Sequence, residues 1–254
     1  DFFTTMPCLL PSDKERFGVK VVSRILGRTP SLSSDILLYN SANGELLALI
    51  NADWITSMRT GAVATLAIKT LRSSSARKYS FIGLGNTARA TLLCLLSSFP
   101  DEIFQVVLFR YKDQAEYFID YFRTFGNVVF SVVDTMEELV EDADVLVSCI
   151  TDADGLLIGN DALFKPGILL VPVHTRGFQN CDLFFDKVFA DDTEHVRSFR
   201  YFNQFKWFNE IGDVLDGTCR GRENDKERIL SYNIGLGLHD VFFASNIYDM
   251  ITNR

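Results

Sequence analysis

No two cysteines in this sequence are spaced C-x-x-C, and the five present (Cys8, Cys94, Cys149, Cys181, Cys219) are scattered and odd in number. That excludes a cysteine-framed zinc site and a disulfide scaffold, and it fits a chain kept in a reducing cytoplasm. The three histidines, His174, His195 and His239, share no ligand spacing, so no metal is expected. Positive charge is short as well: 25 Lys and Arg stand against 33 Asp and Glu, a net charge of −8. A nucleic-acid partner needs a clustered cationic face to neutralise phosphates, and there is no long basic run to supply one. Nor does any apolar run approach the roughly 20 residues of a membrane helix, so no membrane partner is expected.

What is there is ordinary globular material. The chain has 254 residues, 47% hydrophobic and 23% charged, enough for one large domain or two modest ones with proper cores. The opening residues, DFFTTMPCLL, read like the interior of a domain, and the expectation is that the natural fold starts before them. From residue 18 to 50 the pattern alternates. FGVKVVSRIL reads as a strand, SANG (41–44) as a tight turn and ELLALINA as the returning strand. DWITSMRTGAVATLAIKTL (53–71) then turns helical, with small and apolar residues at three- and four-residue intervals. Arg72 and three serines end that helix and predict a domain boundary.

Beyond it the period becomes β-α-β. Strands are predicted at 78–82, 104–109 and 128–133, then in DVLVSCIT, ILLVPV and KVFAD, with helices at 88–98 and 112–125 and a short acidic one in MEELVEDA. Near-continuous apolar strands separated by helices indicate a parallel sheet covered on both faces. The aromatic run RYFNQFKWFNE, with Phe202, Phe205 and Phe208 three apart, reads as a buried helix face, with a cap over the site as the alternative, and a last helix is predicted from Ser231 to Ile251.

The segment FIGLGNTARA (81–90) has the spacing G-x-G-x-x-A, preceded by a strand and followed by a helix and a second strand. In that context the motif receives the pyrophosphate of a dinucleotide on backbone amides at a helix N-terminus. Gly83 permits the turn, Gly85 lets the phosphates approach, Ala88 keeps the helix close to the sheet, and Asn86 and Thr87 add donors. A glycine turn that serves packing alone is the alternative. The second strand ends VVLFRYKD, placing Arg110 where NAD binders carry an acidic residue. A guanidinium there suits the 2′-phosphate of NADP, and NAD remains possible if Arg110 is solvated and Asp113 turns inward.

Two cations interrupt apolar segments. Arg59 opens an otherwise apolar helix, where it either sharpens an anion site or pairs with a carboxylate such as Asp53. Lys20 stands alone in VKVVS, facing either a solvated edge or a cleft that would desolvate it and let it move protons.

Taken together, Met6-Pro7, the G-x-K of 18–20, NGELLALINADWIT, MRTGAVATLA, the glycine turn, DADVLVSCIT, KPG, VPVHTRGFQNCD, EIGDVLDG and GLGLHD resemble the ornithine cyclodeaminase/mu-crystallin family, in order over nearly the whole chain. The resemblance implies an α/β fold: a Rossmann-type doubly wound parallel sheet over 75–224, plus an α+β substrate and dimerisation domain formed by 1–74 with 225–254. It also implies about 50 further N-terminal residues, including a substrate-contacting arginine, and a homodimer. In that family a small amino or imino acid is held through its carboxylate by the residues matching Lys20 and Arg59. Thr60 matches a threonine near the cofactor phosphates, and Thr151 lies where it would line the cofactor.

One departure matters. Family cyclodeaminases carry an aspartate in G-D-x-P-G-K, and alignment puts His174 at that aspartate and Arg176 at the proline. A neutral or cationic donor suits an ornithine ammonium poorly, which favours the dehydrogenase and imine-reductase branch. His174, with an unperturbed pKa of about 6.5, is either a general acid/base or a pocket wall. Asp240 matches an acidic position of the last helix and is expected to be structural. The expected activity is NAD(P)-dependent oxidoreduction at the C–N bond of a small amino or imino acid. The alternatives are a cyclodeaminase-type lyase using bound NAD and a non-catalytic NADPH-dependent binding protein.

Overall fold

A computed structural model describes residues 1–30, 32–150, 153, 155–174 and 177–252. In chain order its strands and α-helices are β1 (Phe2–Leu9), β2 (Arg16–Arg24), β3 (Leu32–Asn40), β4 (Leu46–Asn51), α1 (Asp53–Leu71), β5 (Lys78–Ile82), α2 (Asn86–Ser98), β6 (Phe104–Phe109) and α3 (Gln114–Tyr121). There follow β7 (Val128–Val133), α4 (Met136–Val140), β8 (Val145–Ser148), β9 (Leu169–Pro172), β10 (Lys187–Ala190), α5 (Thr193–Val196), β11 (Phe208–Glu210), α6 (Ile211–Leu215), β12 (Ile229–Tyr232) and α7 (Gly237–Thr252). They form two compact units, Asp1–Arg59 with Gly235–Arg254, and Thr60–Ile234.

The first unit is an antiparallel sheet in the order β1-β2-β3-β4 with α7 packed on it. Register explains the alternation. Lys20 lies opposite Met6 and Ile36, and Ile36 opposite Ile50, so these share the face that α7 covers. Val241 and Ala244 of α7 fill that face together with Leu38 and Ile36. Gly18 is required there, because a Cβ would stand 2.8 Å from a Val241 methyl. The sequence pattern left β1 and β3 unread. The strand that returns from the SANG turn pairs with β3, and FGVKVVSRIL lies between β1 and β3.

The second unit is an eight-stranded, wholly parallel sheet in the order β11-β10-β12-β9-β8-β5-β6-β7. Alternate strand residues feed opposite cores. Val145 and Val147 of β8 join the helix-packed cluster of Leu92, Leu95 and Phe118, while Leu146 joins Leu139, Phe164 and Leu170 on the other side. This is the doubly wound arrangement, with its switch point between β5 and β8.

Two predictions about elements give way. Ser231 does not begin the last helix: residues 229–232 are β12, buried between β9 and β10, and α7 starts at Gly237. A short apolar run does not reveal by periodicity whether it is strand or helix. The aromatic run is not a helix face either. It makes one 3₁₀ turn at Phe202–Gln204 and then the edge strand β11, with the rings of Phe202, Phe205 and Phe208 clustered at 5.0–6.0 Å. The expected boundary points at 74/75 and 224/225 both fall inside the second unit, where the Asp225 carboxylate accepts hydrogen bonds from the hydroxyls of Ser73 and Ser74.

Candidate functional site

In the first unit, three charged side chains from three elements meet in the interior. Lys20 of β2 and Asp240 of α7 are wholly buried, and Arg59 of α1 is 4% exposed. Oδ1 of Asp240 accepts from Nε of Arg59 at 2.9 Å, and Oδ2 lies 2.7 Å from Nζ of Lys20. The lysine contact is an ion pair without hydrogen-bond alignment, so Nζ of Lys20 and Nη1 of Arg59 remain buried donors with no hydrogen-bond partner. Buried charge survives only when paired, and here two cations share one carboxylate, leaving one net positive charge. Burial and the neighbouring Arg59 lower the Lys20 ammonium to about 8, against the upward pull of Asp240.

Glycines let the cluster form. Gly235, at φ +97°, has the Arg59 guanidinium directly over it, and a Cβ would fall 1.4 Å from Nη1. The α7 start is held against β1 by Gly237, whose Cβ would stand 3.1 Å from the Met6 carbonyl oxygen. Thus Gly235, Gly237 and Asp240 of GLGLHD act on one site, which the sequence pattern did not disclose. Asp53, the carboxylate offered as an alternative partner for Arg59, is engaged elsewhere: it accepts from the Ser34 amide at 2.6 Å. Lys20 faces the interior and not a solvated edge.

In the second unit the glycine turn, Arg110 and His174 follow the C-terminal ends of the parallel strands β5, β6 and β9. β5 runs into Gly83, whose φ of +78° and closeness to the backbone of residues 149 and 150 (2.5 Å from a Cβ) admit only glycine. Gly85 is different: a Cβ there meets nothing within 4 Å. It is the N-cap of α2, with no side chain capping the helix, so the amides of Asn86, Thr87 and Ala88 have no intrahelical carbonyl to bond. Ala88 is fully buried beneath them. These features fit a dinucleotide pyrophosphate. Arg110, just past β6, is half exposed and donates from Nε to Asp134 at 2.7 Å and from Nη1 to Glu116 at 3.0 Å. Thr60, the first residue of this unit, is buried on α1. His174 follows β9, and its Nε2 lies 2.8 Å from Oγ of Ser148, the last residue of β8. Ser148 carried no sequence signal. Thr151 and Arg176 lie outside the described residues.

The family model described as Ornithine cyclodeaminase/mu-crystallin family matches residues 2–254. The chain belongs to that family. Among its relatives, the Nodulation efficiency protein NfeD of Rhizobium meliloti is 27% identical over 96% of this chain and 78% of its own. The Delta(1)-pyrroline-2-carboxylate reductase of Bacillus cereus is also 27% identical, over 92% of this chain and 77% of its own. A solved structure of Thermococcus litoralis Delta(1)-pyrroline-2-carboxylate reductase, in complex with NADH and L-proline, shares the fold at a TM-score of 0.82 and 21% identity, covering 99% of this chain and 88% of the other. In this family member GLGLHD ends in an aspartate that takes both cations, and the segment after β9 carries His174. Among the described residues no helix is long and apolar enough to cross a membrane.

Proposed function

We propose that the chain is an NAD(P)-dependent oxidoreductase acting on the C–N bond of a small amino or imino acid, of the ketimine-reductase or amino-acid-dehydrogenase type. The observation that carries this reading is the buried Lys20–Asp240–Arg59 cluster, one anion short of neutrality, with Nη1 of Arg59 lacking a hydrogen-bond partner and Nζ of Lys20 held only by its ion pair to Asp240. A substrate carboxylate supplies that anion and accepts from Nη1 of Arg59 and from Nζ of Lys20. An ammonium with its pKa near 8 can also release a proton to the imine nitrogen at neutral pH. The dinucleotide, when bound, supplies or takes the hydride at the substrate α-carbon. The amides after Gly85 would hold its pyrophosphate, with Thr60 as a further cofactor contact. His174, its ring held by Ser148, is the second acid/base candidate.

For this chain the finer cofactor reading is NADP. Arg110 is paired with exposed carboxylates, and solvent-screened pairs of this kind contribute little, so a 2′-phosphate can displace them. NADPH should therefore stabilise the protein more than NADH in a thermal-shift titration, and Arg110→Ala should reverse the order. Equal shifts for both cofactors would remove the argument. The homodimer and the cytoplasm complete the proposal.

The activity is tested by NAD(P)H oxidation at 340 nm with a panel of cyclic imino carboxylates. Arg59→Ala should abolish turnover and leave cofactor affinity within a few fold; retained activity ends its assigned role. Ammonia release with no net change at 340 nm would indicate the cyclodeaminase-type lyase. Cofactor binding without any turnover would indicate the mu-crystallin-type binding protein.

A further inference from the structure

We propose that Asp240 is the positioning residue of the carboxylate site: it fixes Arg59 and Lys20 so that their remaining donors converge on one carboxylate, and it leaves the site one positive charge to be matched. This rests on the carboxylate site of the proposed function.

The geometry separates this role from that of an ordinary buried salt bridge. A structural pair needs one cation, whereas each Asp240 oxygen holds a different one, from β2 and from α1. By taking Nε, Asp240 occupies one side of the planar guanidinium and fixes its rotation, so Nη1 is directed elsewhere. Nη1 then lies over the bare Gly235 backbone, a place that any side chain at 235 would fill. By standing beside Nζ, the same carboxylate opposes the two influences that discharge Lys20, its burial and the Arg59 charge. Arg59 from α1 and Asp240 from α7 are the charged groups acting on Lys20, and its cross-strand neighbours on β1 and β3 are Met6 and Ile36, which do not titrate. The site with Asp240 carries +1 and closes at neutrality on a monocarboxylate. With an amide at 240, two cations of like sign remain, and Lys20 escapes the repulsion by losing its proton.

The test compares Asp240→Asn and Asp240→Glu with the wild type, following kcat/KM against pH and L-proline binding by calorimetry over the same range. Asp240→Asn is expected to weaken L-proline at pH 8 by at least about tenfold and to move the alkaline limb of binding and of kcat/KM by about one unit or more toward acid. NAD(P)H affinity should stay within about twofold. Asp240→Glu keeps the charge but displaces it, so its alkaline limb should stay near the wild-type position while KM rises at least about fivefold. Should the asparagine variant not fold, the glutamate variant decides alone, and an unchanged KM and L-proline affinity would overturn the proposal. It is equally overturned by a folded asparagine variant with wild-type affinity and an unmoved limb. If the wild type binds L-proline but turns over no imino acid, the enzymatic reading fails, while a shifted binding limb in Asp240→Asn still upholds the role of Asp240.

Discussion

At the scale of single residues, Lys20 shows what the site costs the fold. Its ammonium is wholly buried and lowered from 10.5 to about 8. Below pH 8 the lysine is protonated in both folded and unfolded chains, and the burial penalty is present in full. Between about 8 and 10.5 the folded protein gives up this proton before the unfolded one does, so the penalty is relieved as pH rises. A shift of this size is on the order of 3 kcal/mol. Lys20→Met should therefore raise stability at pH 7 by about 1–3 kcal/mol, less so at pH 9.5, and abolish carboxylate binding. Urea denaturation at both pH values checks it, and a variant no more stable than wild type at pH 7 would show that the ion pair more than offsets burial. The same physics decides what the sequence could reveal. Lys20 and Arg59 were legible because a lone cation in an apolar run is an anomaly that needs a reason. Asp240 was legible only through the family resemblance, and only as a structural residue, since an acid in the first turn of a helix is favourable anywhere. Ser148 and Gly235 were hidden for a like reason, as a small residue is informative only once its neighbour is known.

At the scale of elements, the two glycines of the β5–α2 turn separate folding from binding. A methyl at Gly83 meets residues 149 and 150 at 2.5 Å and would force a side chain into φ +78°, so Gly83→Ala should lose at least about 2 kcal/mol of stability. A methyl at Gly85 meets nothing, so Gly85→Ala should unfold within about 0.5 kcal/mol of wild type yet bind NAD(P)H at least about tenfold more weakly. Denaturation curves and cofactor fluorescence titrations read the two effects apart; unweakened binding in Gly85→Ala would mean that the turn serves packing alone. That turn was legible because its spacing and its flanking strand and helix act locally. β6 and β7 were read to the residue for the same reason, being apolar runs bounded by turn residues. β12 was not, because nothing local in Ile229–Tyr232 tells it to leave the chain's order and insert between β9 and β10. β1 and β3 escaped because Phe2–Leu9 and Leu32–Asn40 mix polar residues into strands whose logic lies in cross-strand register.

At the scale of the whole molecule, the face of the first sheet turned away from α7 bears on the proposed dimer. Antiparallel sheets with one packed face commonly put polar residues on the other. Here two complete cross-strand rows are apolar: Pro7, Val19, Leu37 and Leu49, then Leu9, Phe17, Tyr39 and Leu46. Leu9 is 64% exposed and Leu49 70%. A continuous apolar patch on an exposed sheet face marks an interaction site, and one spanning all four strands can meet its own copy about a two-fold axis. A second copy is therefore the proposed occupant, and Leu37, in the third strand of the row, is the residue to change. Leu37→Lys places like charges opposite each other across any such axis without touching Lys20, Arg59 or the glycine turn. Light scattering after gel filtration should give twice the 28.7 kDa chain mass for the wild type and the single mass for the variant. Cofactor titration of the variant should still saturate, since the dinucleotide residues lie in the other unit. A wild type that runs at the single mass at micromolar concentration would refute the dimer, and the apolar rows would then need a different partner.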